Sequence, residues 1–391
     1  DLAEQTFVSR QKRIATSLNE NDGADLAVMW KVVGFMPIPE QEVFDGLQKG
    51  TNEPHKAQEL MDKWAEKDPI ANYESFLLEL GILDADKIAV LKTEITTEID
   101  ANLQLAFDET EIELIESKEV QDVFKTFDFQ EVVPSKNVTN IRLVDAISEG
   151  LRQAMEKYDA LVIMGQDVAD YGGVFKVTDG FMESFGAGRV RNTPICESAI
   201  VAAAMGLSIN GMKAVMEMQF ADFASTGFNP IVNYLAKSHY RWAESADVVI
   251  RMPCGGDVGA GPFHSQTNEA WFTKTPGLKI AYPAFPYDAK GLLATAIEDP
   301  NPVLFFEHKA LYRSVYQDVP TDYYTLEFGK ATLLKEGDDI SIVSYGAGVH
   351  WALDTLNAHP EIKADLIDLR TLMPLDIEAV YKSVRKTGKL I

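Results

Sequence analysis

Three stretches carry side chains whose types and spacing could do chemistry. The first is Thr193-Pro194-Ile195-Cys196-Glu197, where a strand pattern ends at a proline and an acid opens the next helical pattern. A helix start favours negative charge. Glu197 is therefore either a helix-start glutamate or a partly buried carboxyl aimed at a ligand nitrogen. Burial favours the neutral form of any carboxyl, which suits it to proton exchange. The second stretch is Glu217-Met218-Gln219-Phe220-Ala221-Asp222-Phe223, crossing from a strand end to a helix start. Its two aromatics serve either as core or as a flat apolar wall for a planar ring. The third is Phe263-His264-Ser265-Gln266, after the glycine-rich loop Gly255–Gly261. A loop histidine is ordinarily just solvated, yet histidine is the side chain that titrates near neutral pH.

The elements that must position these residues alternate along residues 141–310. The patterning predicts strands at Ala160–Gly165, Arg189–Thr193, Ala214–Phe220, Val248–Met252, Lys279–Tyr282 and Val303–Glu307. Helices are predicted at Ile141–Lys157, Glu197–Ile209, Phe223–Glu244 and Tyr287–Glu298. This order implies a mostly parallel sheet with helices on both faces. Ligands of such sheets sit at the strand carboxyl ends, where all three stretches fall. A second α/β unit starts after residue 325, with strands Ile340–Tyr345 and Ala364–Asp368 and helices Gly348–Asn357 and Ile377–Lys386. Lys389–Ile391 reads as the start of a further strand, and the first residue is not Met, so a fragment is expected.

The front of the chain differs. Residues 1–54 read as an arm without assignment, Val28–Phe35 being apolar and Pro37 and Pro39 breaking it. Residues 55–127 read as helical. Asp68-Pro69 is a start signal, Ile70, Tyr73, Phe76, Leu77 and Leu80 follow at helical spacing, and Gly81 closes the helix. Asp84 opens a longer helix with the stripe Ile88, Leu91, Ile95, Ile99 and Leu103. Glu94–Asp122 holds ten acids and one base, either a solvated helix face running into a linker or a contact for a basic partner. Phe127–Asn140 reads as linker.

Composition narrows the class. The 391 residues are 46% hydrophobic and 25% charged, an ordinary globular balance for two or three domains. No apolar run is long enough to span a membrane. The net charge of −24 repels phosphate backbones and argues against a nucleic-acid partner. Two cysteines make no disulfide scaffold and point to a reducing compartment. The usual phosphate-loop, dinucleotide, zinc-protease and nucleophile-elbow motifs are absent.

Residues 138–391 resemble the beta subunit of the thiamine diphosphate-dependent dehydrogenase component of 2-oxo acid dehydrogenase complexes, most of all the branched-chain type. The stretches that carry the likeness are Gly165-Gln-Asp-Val, Tyr171-Gly-Gly-Val-Phe-Lys, Asn192-Thr-Pro-Ile-Cys-Glu197 and Glu217-Met-Gln-Phe-Ala-Asp-Phe223. Phe263-His-Ser-Gln-Thr-Asn-Glu269, Lys290-Gly-Leu-Leu and Asp365-Leu-Ile-Asp-Leu-Arg-Thr371 extend it. Trp64-Ala-Glu-Lys-Asp-Pro-Ile through Phe107 resembles the C-terminal tail of the alpha subunit, fused ahead of the beta module. Two positions depart from the family pattern: Gln166 stands where Glu is frequent, and Phe223 stands where the animal branched-chain enzyme has Tyr.

The resemblance implies a transketolase-like pyrimidine-binding domain over residues 138–320 and a truncated transketolase C-terminal-like domain over residues 321–391. Residues 55–137 would be the alpha-like tail and linker. It implies an oxidoreductase of the 3-methyl-2-oxobutanoate dehydrogenase type, acting on 2-oxoisovalerate or pyruvate and passing the acyl group to lipoamide. Glu197 would meet the aminopyrimidine, Phe223 would stack on it, Ile195 and Gln219 would line it, and Phe220 would also be cofactor-binding. His264 would serve lipoyl transfer, and Asp299 and Asn301 would hold potassium. No Gly-Asp-Gly occurs in the chain, so an alpha module would supply the diphosphate and magnesium site, and the isolated chain would be inactive. A lipoyl-bearing acyltransferase core and a dimer or heterotetramer follow, in a bacterial cytoplasm or a mitochondrial matrix. A transketolase or deoxyxylulose-phosphate synthase, or a non-catalytic assembly piece, are the alternatives.

Overall fold

The computed structural model describes residues 63–110 and 113–391, so the arm over residues 1–54 and the start of the helical segment lie outside the described residues. The chain divides into two compact units, residues 1–112 and residues 113–391. In the first, helix Pro69–Glu79 starts where Asp68 Oδ1 accepts from the Ile70 and Ala71 amides, both at 2.8 Å. Helix Ala85–Asp108 starts the same way, with Asp84 accepting from the Lys87 amide at 2.8 Å. Both starts follow from short acids that satisfy free helix amides. Most of the apolar stripe of the longer helix, including Leu91, Ile95, Ile99 and Leu103, is exposed.

The second unit holds twelve strands in chain order. They are β1 Val138–Arg142, β2 Leu161–Gly165, β3 Val190–Asn192, β4 Lys213–Glu217, β5 Val248–Cys254 and β6 Lys279–Ala281. β7 Val303–His308, β8 Tyr316–Pro320, β9 Thr332–Lys335, β10 Ile340–Ser344, β11 Ala364–Asp368 and β12 Thr371–Met373 complete them. The main sheet has seven strands in the order β12-β6-β7-β5-β4-β2-β3. All its pairs are parallel except β12 with β6. β2 and its neighbours β3 and β4 mark the point where strand order turns, the place such sheets keep for ligands.

The sheet is buried on both faces, which is why its strands read as near-continuous apolar runs. Ile163, Val215, Val249 and Phe305 face a core built with Ile147, Leu151, Leu292 and Leu293 of helices Leu143–Lys157 and Pro286–Glu298. Val162, Met164, Met216, Ile250 and Leu304 face the other core, with Ile200, Val201, Ile231 and Leu235.

Several expectations are corrected. The linker gives way to β1, which pairs antiparallel with β8, and Ile141 is in that strand rather than in the helix. The expected helix Phe223–Glu244 breaks into a 3₁₀ turn Ala221–Ser225, a π turn Pro230–Leu235 and a short helix Ser238–Trp242. Pro230 has no amide to continue a helix. The Thr226 carbonyl is already taken by the Ser198 hydroxyl.

The smaller domain is a three-stranded sheet in the order β10-β11-β9. Leu390 bridges to Ser341 alongside it, as the pattern at Lys389–Ile391 predicts. β12, however, leaves this domain to edge the main sheet. At that crossing Asp368 is fully buried, and Arg370 Nη1 donates to Asp288 Oδ1 at 3.0 Å. Burial pushes Asp368 up to about 7, helped by the neighbouring Asp288 carboxylate. The folded chain thus binds this proton more tightly than the unfolded one. The stability it confers is present at acid pH and is lost as pH rises from the ordinary carboxyl range to about 7. Asp368→Asn is expected to flatten the decline of unfolding free energy between about pH 4 and 7. Denaturant unfolding across that range is the check, and an unchanged slope would contradict the assignment.

Candidate functional site

Glu197 is the first residue of helix Glu197–Ile209, set by Pro194 at the end of the β3 segment. The residue is buried, at 7% exposure. Gln166, just past β2, donates Nε2–H to Glu197 Oε1 at 3.4 Å. Thr226 Oγ1 lies 3.0 Å from Glu197 Oε2 and 2.8 Å from the Phe223 carbonyl. The loops after β2, β3 and β4 therefore converge on one carboxyl.

Thr226 ties that carboxyl to the aromatics. The Phe220 and Phe223 rings meet edge to face with centroids 5.8 Å apart. The His264 ring stands edge-on to both, 4.6 Å from Phe220 and 5.5 Å from Phe223. Phe175 also meets Phe220 edge to face, with centroids 5.7 Å apart. Asp222 fixes the histidine loop by accepting from the Gln266 amide at 3.2 Å. Glu197, Phe220, Phe223 and His264 thus form one connected cluster. Ile195, two residues before Glu197 in the chain, is strongly exposed. Gln219 Nε2 donates to Asp167 Oδ2 at 3.1 Å, across the β2 and β4 loops.

Asp299 and Asn301 are not part of this cluster. They precede β7 and so stand at the amino-terminal edge of the sheet. Asp299 pairs with the Lys279 ammonium and accepts from Asn301 Nδ2 at 2.8 Å. Asn301 also clamps the Lys125 backbone, accepting at 2.8 Å and donating at 2.9 Å. Both Asp299 oxygens are engaged, one by the Lys279 ammonium and the other by Asn301. Among the described residues, no group of three or more His, Cys, Asp or Glu could hold a metal ion.

Sequence reasoning missed the charged network beneath the aromatic wall. Arg251 is fully buried in β5 and binds Glu307 through two hydrogen bonds of 2.8 Å. Its third arm reaches Glu217, and Tyr312 donates to Glu307 at 2.5 Å. Burial raises the Glu217 pKa against the pull of Arg251. Burial also opposes the Arg251 charge, but Glu307 and Glu217 outweigh it. The available signal was an arginine inside an apolar strand pattern, since such a charge needs buried partners. Lys309 was missed as well. It is buried over the Phe220 ring with no hydrogen-bond partner on Nζ, and burial lowers its pKa.

Residues 139–315 match the family described as transketolase, pyrimidine binding domain, and residues 329–391 match transketolase, C-terminal domain. The parallel sheet, the carboxyl at its turning point and the following smaller α/β domain make this a chain of the transketolase class. Among solved structures, a split-gene transketolase described as an inactive beta4 tetramer is similar, with TM-score 0.52 and 25% identity over 64% of this chain and 77% of that one. The 2-oxoisovalerate dehydrogenase subunit beta of Bacillus subtilis is 46% identical over 254 residues, covering 63% of this chain and 77% of the relative. The pyruvate dehydrogenase E1 component subunit beta of the same organism is 41% identical over 260 residues, covering 65% and 79%. The mitochondrial 2-oxoisovalerate dehydrogenase subunit beta of Dictyostelium discoideum is 43% identical, covering 64% and 69%. The chain belongs to the family of 2-oxo acid dehydrogenase beta subunits.

Proposed function

We propose that this chain is the beta component of a thiamine diphosphate-dependent dehydrogenase that oxidatively decarboxylates a 2-oxo acid, 2-oxoisovalerate or pyruvate, and acylates lipoamide. The observation that carries the reading is the carboxyl of buried Glu197 tied through Thr226 to the Phe220–Phe223 wall at the turning point of the sheet. These residues fit the aminopyrimidine half of the cofactor. The wall offers a ring an apolar face, and the carboxyl offers a nitrogen a proton partner. Gln166 Oε1, beside it, and Thr193 Oγ1, in the loop after β3, are buried without hydrogen-bond partners and leave polar capacity for such a ligand. The diphosphate and magnesium would be held by an alpha component.

Thiamine diphosphate supplies the nucleophilic carbon and electron sink for decarboxylation. In this reading Glu197 holds and releases a proton at the ring nitrogen. Phe220 and Phe223 fix the ring plane, with Ile195 and Gln219 at its rim. His264 gives a proton to the lipoyl sulfur. Asp299 and Asn301 would hold potassium in this reading, and a potassium-specific rise in melting temperature over sodium is the test.

The functional test is co-expression with an alpha-type subunit. Dye reduction dependent on a 2-oxo acid and thiamine diphosphate supports the reading, and comparing 2-oxoisovalerate with pyruvate decides the substrate. Activity confined to sugar phosphates would replace it with a transketolase. His264→Ala is expected to impair lipoamide acylation by about 10²-fold, the scale of a lost general acid, and to spare decarboxylation more. Single-turnover rates of the two steps check this, and equal losses would remove the transfer role.

A further inference from the structure

The surroundings of Glu197 are unusual for a buried acid: its hydrogen-bonding side chains are an amide and a hydroxyl. An amide carries both donors and an acceptor, and a hydroxyl can donate or accept. Gln166 is itself buried, at 5% exposure, and its Oε1 has no partner. Thr226 has one hydroxyl hydrogen and two acceptors in reach, Glu197 Oε2 at 3.0 Å and the Phe223 carbonyl at 2.8 Å. In the ionised state of Glu197, Gln166 Nε2–H and the Thr226 hydroxyl both donate to it. In the acid state, Thr226 turns its hydrogen to the Phe223 carbonyl and accepts a hydrogen bond from the Glu197 O–H, or Gln166 turns over and accepts that bond on Oε1. Each state keeps its hydrogen bonds after a rotation about a side-chain bond.

We propose that Gln166 and Thr226 form an uncharged cradle in which Glu197 changes protonation state without losing hydrogen bonds, with Gln166 as its positioning residue. The proposal deepens the functional reading above and rests on it for its catalytic meaning. A cation at this place would lock Glu197 ionised, and a carboxylate would couple its titration to a second proton. Among the described residues, no other titratable group on the converging loops has a side-chain hydrogen bond or ion pair with Glu197. Asp167 accepts from Gln219, and Glu217 pairs with Arg251. Cys196 Sγ lies 3.5 Å from the Pro194 carbonyl, Asp222 accepts from the Gln266 amide, and His264 packs on the aromatic wall.

The test is Gln166→Glu, which keeps size and shape while adding a second carboxyl. The ¹³C-glutamate-labelled chain is titrated by infrared spectroscopy without cofactor, each variant's Glu197→Gln counterpart serving as blank. Wild type should titrate in one step. Gln166→Glu should titrate in two, the upper moved up by about one pH unit or more. A single unshifted step in a folded Gln166→Glu chain would overturn the proposal. Should that variant not fold, Thr226→Val removes one donor to the ionised form, and its midpoint should rise; an unmoved midpoint overturns the proposal equally. The acid limb of the pH–rate profile, measured with the alpha component, should follow the infrared shift. An infrared shift with no 2-oxo acid turnover would leave the cradle standing and overturn the functional reading instead.

Discussion

Glu197→Gln is expected to lower turnover of the enzyme assembled with its alpha component by about 10²–10⁴-fold, the scale of a lost acid–base group. The fold should survive, because the substitution keeps size and shape at a position that already opens its helix. The amide can still meet Gln166 and Thr226, the two side chains that hydrogen-bond to the native carboxyl. What it cannot do is give up and recover a proton at a ligand nitrogen. The loss should therefore fall on kcat, with melting temperature nearly unchanged. Steady-state kinetics beside a thermal melt separate the two effects. A variant retaining more than about half the wild-type rate would remove Glu197 from the chemistry, on the same scale.

Arg251→Met is expected to destabilise the chain by about 3–5 kcal/mol, the usual cost of stripping one partner from a buried ion pair. That is a large part of the roughly 5–15 kcal/mol that holds a domain together. Arg251 and Glu307 are fully buried and Glu217 nearly so, and the guanidinium is the cation in contact with both acids. Without it the carboxylates repel each other with no water to screen them. Glu217 already has its pKa raised by burial, so its proton would be held more tightly still. The triple variant Arg251→Met, Glu217→Gln, Glu307→Gln should recover much of the loss, since it leaves no buried charge. Soluble yield and urea unfolding measure both. A single variant within roughly 1 kcal/mol of wild type would show that the network contributes little.

The network also shows where local reading stops. Glu217, Arg251 and Glu307 sit on strands β4, β5 and β7 and meet only because those strands are neighbours in the sheet. Sequence position says nothing of that adjacency, since β6 intervenes in the chain but not between β5 and β7. The site cluster was more legible. Thr193–Glu197, Glu217–Phe223 and Phe263–Gln266 each mark a strand end or the loop after it, and a parallel sheet gathers such ends at one edge.

What the sequence by itself determined is the set of elements whose signals are local. Helix Glu197–Ile209 and strand Ala364–Asp368 lie where periodicity predicts them, and Asp68 and Asp84 cap the helices they open. Side-chain periods of two and 3.6 and short capping acids act within a few residues, so they can be read without the fold. Tertiary structure decided what depends on distant partners. Val138–Arg142 became a strand because Tyr316–Pro320 offers it an edge, and Thr371–Met373 crossed to the main sheet because β6 lacked a neighbour there. The segment after Phe223 broke because Pro230 and the bond from Ser198 override its helical spacing. Val138–Arg142 and Thr371–Met373 carry no apolar alternation that would declare them strands. Backbone groups at a sheet edge pair with whatever chain the fold brings beside them, and only the folded chain specifies which segment that is.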